Sequence, residues 1–236
     1  WLFNTQNCMI DLRTNQVLPH DPAQLVTKLS PVVYDPAATC PNWGAFLARV
    51  LADRTELVRY LQKAVGYSLT GETGEQCLFL LYGQGANGKS TFLSTIMGIL
   101  NTYARQLPMD ALLCKANRQI PNDIAALRGA RFASAVEADD GSRMAESLVK
   151  QMTGQDKLTA RFLHGEWFEF EAQFKLWLAT NHKPVIRGCD EAIWRRMRLI
   201  PFTVTIPAAE RDPRLGEKLR QEWPGILNWA LEGCRL

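Results

Sequence analysis

Nine consecutive residues have the types and spacing to hold a polyphosphate. Gly83-Gln84-Gly85-Ala86-Asn87-Gly88-Lys89-Ser90 follows the pattern G-x-x-x-x-G-K-[ST], and Thr91 extends it. Glycines let successive backbone N–H groups curl around a phosphate without Cβ clashes. A helix starting at the lysine would aim its N-terminal N–H groups and its dipole at the same anion. Lys89 would then neutralise the β/γ oxygens of ATP, and the Ser90 hydroxyl would ligate Mg²⁺. A chance match occurs in about one chain in a hundred of this length at average composition. Context decides against chance here: a buried apolar run precedes the loop and a helical run follows it.

Hydrolysis at such a site needs an acid at the end of a neighbouring strand, to hold the Mg²⁺ water or polarise the attacking water. Arg131 to Val136 is an apolar run of strand length, and Glu137 is the first carboxylate after it. Asp139 and Asp140 follow, and on their own they read as a solvated acidic turn. Phe174 to Thr180 is another apolar run, ending in the amide of Asn181. That amide is placed to bond a γ-phosphate or the lytic water, although an Asn shortly before Pro184 is also a common turn former. Arg195 and Arg196 precede a further apolar run. Phosphoryl chemistry calls for a guanidinium to offset transition-state charge, and one of these two is expected to supply it to a neighbouring subunit. The plainer reading is a surface basic cluster.

These residues need a scaffold, and the patterning describes one. Residues 1–75 read as an arm with prolines at 19, 22, 31, 36 and 41, followed by two helices. The first helix repeats Phe46, Leu47, Val50 and Leu51, and the second Leu57, Val58, Leu61 and Val65. Thr55 is the expected N-cap of the second helix, and Gly66 and Gly71 its expected end. Residues 76–206 alternate buried strands (77–82, 131–136, 174–180, 197–204) with helices (89–100, 146–152). Pro201 marks the last strand as an edge or a strand end. Lys157 to Phe162 and Trp167 to Phe170 alternate around Leu163-His164-Gly165-Glu166, a hairpin signal. Residues 207–236 hold two C-terminal helices, with Pro224 near the start of the second. The expected fold is therefore α/β, with a central, mostly parallel sheet behind a small, mainly helical N-terminal subdomain.

Composition narrows the partners. The 236 residues carry 27 Lys and Arg against 24 Asp and Glu, a net charge of +3, so any nucleic-acid site must be a local patch. Hydrophobic residues make up 47%, enough for a sizeable core. No apolar run reaches membrane-spanning length and no secretory leader is visible, so no membrane is expected. The six cysteines show no C-x-x-C pair, which argues against a zinc site or a disulfide framework. A chain opening at Trp1 and still helical at Leu236 is expected to be a fragment of something longer.

With these motifs in this order, the chain resembles a superfamily 3 helicase, and more narrowly the phage and plasmid primase-helicase family with its poxvirus and satellite-phage relatives. The resemblance runs from Met9-Ile-Asp-Leu12 and Tyr34-Asp-Pro36 through Gly88-Lys89-Ser90-Thr91 and Glu137. It continues through Lys150 to Asp156, Ala160-Arg161-Phe162 and Thr180 to Pro184, and ends at Trp194-Arg195-Arg196 and Ile200-Pro201-Phe202. It implies a modified AAA+ core, a hexameric ring, ATP with Mg²⁺, and 3′→5′ translocation on single-stranded DNA. Lys89, Ser90 and Thr91 take the phosphate-loop roles, Glu137 the Walker B role, Asn181 that of sensor 1, and Arg196 or Arg195 the finger. Many superfamily 3 members carry two adjacent acids at Walker B, whereas Val136 precedes Glu137 here.

The family's hairpin before the sensor strand tracks DNA in the ring channel. The matching segment is 157–170, with His164 at the tip and Lys157 and Arg161 on the approach strand as DNA contacts. Its aromatic residues Phe162, Trp167, Phe168 and Phe170 read as ordinary core. A fused or associated primase domain and a cytoplasmic setting, in a bacterium or a virus-infected cell, follow from the same resemblance. Two rivals remain: an AAA+ ATPase that remodels protein complexes, and a replication scaffold in which nucleotide only glues a ring.

Overall fold

The computed structural model describes residues 1–114, 122–136, 144–181 and 191–236. The chain opens with three short strands, β1 (Leu2–Asn4), β2 (Met9–Asp11) and β3 (Val17–Leu18), paired antiparallel in that order. Two helices follow, α1 (Pro41–Val50) and α2 (Thr55–Leu69). Arg54 occupies the cap position of α2 and Thr55 is already helical, so the expected cap lies one residue too late. Gly66 does not end this helix. It lets α2 cross the C-terminal helix closely, because a Cβ there would lie 2.1 Å from the backbone nitrogen of Cys234.

The core is one five-stranded sheet. Its strands are β4 (Leu78–Tyr82), β5 (Ala104–Leu107), β6 (Phe132–Val136), β9 (Lys175–Thr180) and β10 (Met197–Pro201). The order is β10-β4-β9-β6-β5, and every pairing is parallel. β5 was not anticipated, because Ala-Arg-Gln-Leu lacks a continuous apolar run. It can still serve because it sits at an edge, with one neighbour instead of two. β10 is the other edge and stops at Pro201 rather than running to Val204.

Period-two alternation splits the sheet between two hydrophobic layers. Phe79, Leu81, Phe132, Trp177 and Ala179 join one cluster, with α1, α2 and α3 (Lys89–Leu100). The last two helices, α7 (Leu215–Gln221) and α8 (Trp223–Arg235), pack into the same layer. Trp177 sits at its centre, with Phe79 and Phe132 rings at 4.4 and 5.2 Å and its indole N–H on Ser68. Leu78, Leu80, Ala133, Ala135, Leu176 and Leu178 face the opposite cluster. That layer holds α4 (Asn122–Ala125), α5 (Glu146–Thr153), α6 (Glu191–Trp194) and the hairpin of β7 (Lys157–Ala160) and β8 (Phe168–Glu171). Among the described residues, no helix is long and apolar enough to cross a membrane.

Candidate phosphate site

Parallel pairing brings the C-terminal ends of three strands together. Tyr82 of β4 lies opposite Thr180 of β9, and Ala179 lies opposite Val136 of β6. The chain leaving β4 becomes the glycine-rich loop, and the chain leaving β9 begins with Asn181. Residues distant in sequence therefore meet at one edge. Glu137, the expected Walker B acid, follows Val136 and lies outside the described residues, as do Asp139 and Asp140.

The loop is locked to the sheet on both sides. Gly83 N donates to Thr180 O at 3.3 Å, Asn87 Nδ2 to Phe202 O at 3.1 Å, and Ile206 N to Ala86 O at 2.8 Å. A Cβ at Gly83 would collide with the Phe202 carbonyl at 1.9 Å, so the strand can pass only as glycine. Gly88, with φ at +86°, turns the chain into α3 in the left-handed region that glycine enters most readily. Gln84, Gly85, Ala86 and Ser90 are exposed at this edge, while Asn87 and Lys89 are buried.

Lys89 is 6% exposed, and neutral oxygens are among its partners. Its ammonium donates to Gly83 O, to Asn87 Oδ1 at 3.1 Å and to Asn181 Oδ1 at 3.0 Å. Gly85 N donates to the same Asn181 oxygen at 3.3 Å. A charged phosphate oxygen is a stronger acceptor than any of these, so an arriving anion can displace them. For Mg²⁺, Ser90 is exposed on the first turn of α3 and suits one ligand position. Among the described residues there is no group of three or more His, Cys, Asp or Glu that could hold a metal ion.

The two candidate arginines separate. Arg196 is buried, and its guanidinium donates to Ala192 O at 2.7 Å and Gln76 Oε1 at 3.3 Å. Arg195 is exposed beside Trp194. Both precede β10, whose first residue, Met197, pairs with Leu78 at the start of β4. The phosphate loop follows the other end of β4. Five residues of strand, about 16 Å, stand between the two positions.

The expected DNA-contact residues lie on a real hairpin. β7 and β8 pair from Lys157↔Glu171 to Ala160↔Phe168, leaving a loop longer than the sequence signal suggested. His164 occupies the loop apex, exposed and with φ at +62°. Lys157 is exposed, 3.9 Å from Glu169. Arg161 lies over the Trp167 ring at 4.9 Å. Phe170 is core as expected, but Phe162 and Trp167 are not, since both stand in solvent.

Comparison with known proteins places this geometry in context. A family model described as D5 N terminal like matches residues 1–52, and one described as a family of unknown function (DUF5906) matches residues 81–196. A protein of Acanthamoeba polyphaga mimivirus named "Putative helicase" is 29% identical over 86% of this chain and 22% of its own length. Another of that name, from Frog virus 3, is 29% identical over 68% of this chain and 17% of its own. A "Putative primase" of African swine fever virus is 25% identical over 71% of this chain and 18% of its own. The chain thus spans about a fifth of the length of these relatives. The apo C-terminal region of NrS-1 shares the fold, with a TM-score of 0.66 at 13% identity over 84% of this chain and 46% of that one.

Proposed function

We propose, from the premise that this chain belongs to the phage and viral primase-helicase family, that it is the ATP-driven motor of a DNA replication protein. The observation that carries the reading is the convergence of Lys89, the glycine-rich loop and Asn181 at the C-terminal edge of a parallel sheet. In this reading, backbone N–H groups of the loop and Lys89 bind the ATP phosphates. Ser90 and Glu137 would hold Mg²⁺, which would offset the charge of the phosphates. Asn181, released from Lys89, holds the γ-phosphate or the attacking water.

The guanidinium for the transition state comes from a second copy. Arg195 and Arg196 stand too far along the sheet to reach their own loop, and Arg196 is already engaged inside the chain. Arg195 is therefore the better finger. It shares the open β10 edge with Trp194, Leu199 and Arg198, a face suited to a neighbour in a ring. We assign the motor to superfamily 3, acting as a hexamer that moves 3′→5′ on single-stranded DNA, within a longer protein that also carries a primase.

ATP hydrolysis measured with and without single-stranded DNA tests this. Stimulation by DNA supports the motor. DNA-indifferent hydrolysis would instead favour remodelling of protein complexes, which the exposed Phe162 and Leu163 at the hairpin tip make the main competitor. Absence of hydrolysis would favour the nucleotide-glued scaffold.

A further inference from the structure

Two cations without acids stand at the β5 edge of the central sheet. β5 pairs with β6 alone, so one side of Ala104–Leu107 has no strand beside it. The N-terminal arm is pinned where this strand begins. Leu29 N donates to Thr102 Oγ1 at 2.6 Å, and the same hydroxyl donates to Leu29 O at 3.0 Å. Lys28 is thereby held near Arg105 of β5. Burial first, and the Arg105 charge next, lower the pKa of its ammonium. Gly129 leaves room for the lysine stem, since a Cβ there would lie 3.3 Å from Lys28 Cε. Among the described residues neither cation forms an ion pair. Arg105 donates instead to Ala104 O, a carbonyl of the edge strand itself, at 2.9 Å. Apolar surface adjoins them. Leu29 is 42% exposed, and Leu25, four residues up the arm, 83%. Leu25 sits in the left-handed region with φ at +51°, a conformation that disfavours leucine. Its N–H on Pro22 O at 3.1 Å and the Asp21 carboxylate on Ala23 N at 2.9 Å hold that turn.

We propose that the β5 edge docks an extended segment of a partner protein, rich in acidic and aliphatic residues, as a sixth strand of the sheet. The open edge supplies main-chain hydrogen bonds, the general source of affinity in strand addition. Acidic side chains would neutralise Lys28 and Arg105, and aliphatic ones would cover Leu29 and Leu25. The plainer use of charge at a sheet edge is to keep other chains away. One cation serves that purpose. A guard does not call for a second cation that repels the first and is carried in on the arm, nor for leucines exposed beside them. Nucleic acid would engage the cations but leave the leucines and the strand backbone idle. The proposal does not depend on the motor reading.

The test titrates three labelled octapeptides into the 236-residue chain and follows fluorescence anisotropy. One alternates Glu and Val, one alternates Lys and Val, and the third is a fully N-methylated copy of the acidic peptide, with its charge but no N–H donors. The acidic peptide should bind about ten-fold more tightly than either of the others. The Lys28→Glu/Arg105→Glu double variant should reverse the preference and take the lysine peptide. Circular dichroism checks that it folds. Should it fail to fold, Lys28→Gln, which lies in the arm and outside the sheet, takes its place and should weaken the acidic peptide about three-fold or more. No binding of the acidic peptide, equal binding of its N-methylated copy, or affinities that the folded variant leaves unchanged would overturn the strand dock. Oligothymidylate is then added as a competitor. Displacement of the acidic peptide by oligothymidylate, with oligothymidylate itself losing affinity in the variant, would assign the two cations to nucleic acid and overturn it as well.

Discussion

Nζ of Lys89 donates to Oδ1 of Asn181 across 3.0 Å, joining the start of α3 to the end of β9 over 92 residues of sequence. The contact exists because β4 and β9 are parallel neighbours whose last residues, Tyr82 and Thr180, are paired. A neutral amide at this position can hold the ammonium and let it go. The first prediction follows from that neutrality. Asn181→Asp would set a carboxylate against Lys89 and against the incoming phosphate, so ATP affinity should fall about ten-fold or more. Asn181→Ala should bind ATP within a few-fold of wild type and lose turnover by about 10². Fluorescent-nucleotide titration alongside phosphate release separates binding from turnover.

Lys89→Ala removes the cation while leaving Gly83, Asn87 and the helix start in place. Hydrolysis should drop by about 10² or more, and the variant should remain soluble and folded. Wild-type turnover by the purified variant would refute the phosphate-loop assignment.

Arg195 and Arg196 are adjacent in sequence and should behave oppositely. Arg196→Ala removes a buried guanidinium that donates to the part-buried Ala192 O and Gln76 Oε1, so it should cost about 1 kcal/mol of stability. Arg195→Ala should leave the melting temperature unchanged, bind ATP, and lose hydrolysis by about 10³ if the arginine acts on a neighbour's nucleotide. Mixing Arg195→Ala with Lys89→Ala should restore part of the activity, because some interfaces then pair an intact Lys89 with an intact Arg195. Sizing must confirm that subunits exchange. Exchange without recovered hydrolysis would count against a trans-acting arginine.

Much of this site was legible in the sequence because its parts are local. The glycine-rich loop, the helix starting at Lys89 and the apolar strands 78–82 and 175–180 each carry their own signal. What was not legible depends on partners far away in the chain. The start of α1 has no side-chain cap of its own; Glu222 supplies one from 180 residues away, accepting from Asn42 N and Trp43 N at 2.9 Å each. Gly66 looked like a helix end because a glycine in a helix usually costs stability, yet here α8 needs its missing side chain. Which of two adjacent arginines is free could not be read from a dipeptide, since Gln76 and Ala192 decide it. The aromatic residues of the hairpin alternate correctly for a strand, but alternation does not tell which ring lies beyond the edge of the core.

Lys175, finally, is a buried cation that the sequence disguised as the start of an apolar strand. It is 2% exposed at the N-terminal end of β9, with its ammonium donating to Thr70 O at 2.6 Å and Glu72 O at 3.0 Å and sitting 4.6 Å over the Tyr67 ring. Burial first, and the positive charge of Arg131 next, pull its pKa from 10.5 to about 7. A neutral amine keeps two hydrogens, enough for both carbonyls. Between pH 7 and 10.5 the unfolded chain holds a proton that the folded chain has released, so stability rises with pH across that window and this contribution is flat below it. The slope can approach about 1.4 kcal/mol per pH unit, on the order of 2 kcal/mol from pH 7 to 9. Tyr67 does not confuse the measurement, because burial pushes its hydroxyl up to about 12. Urea unfolding of wild type and Lys175→Met at pH 6, 7, 8 and 9 gives the answer as a difference, which cancels groups common to both. The wild type should gain stability over the variant above pH 7, with a constant gap below it. Parallel curves throughout would show that Lys175 keeps its proton in the fold.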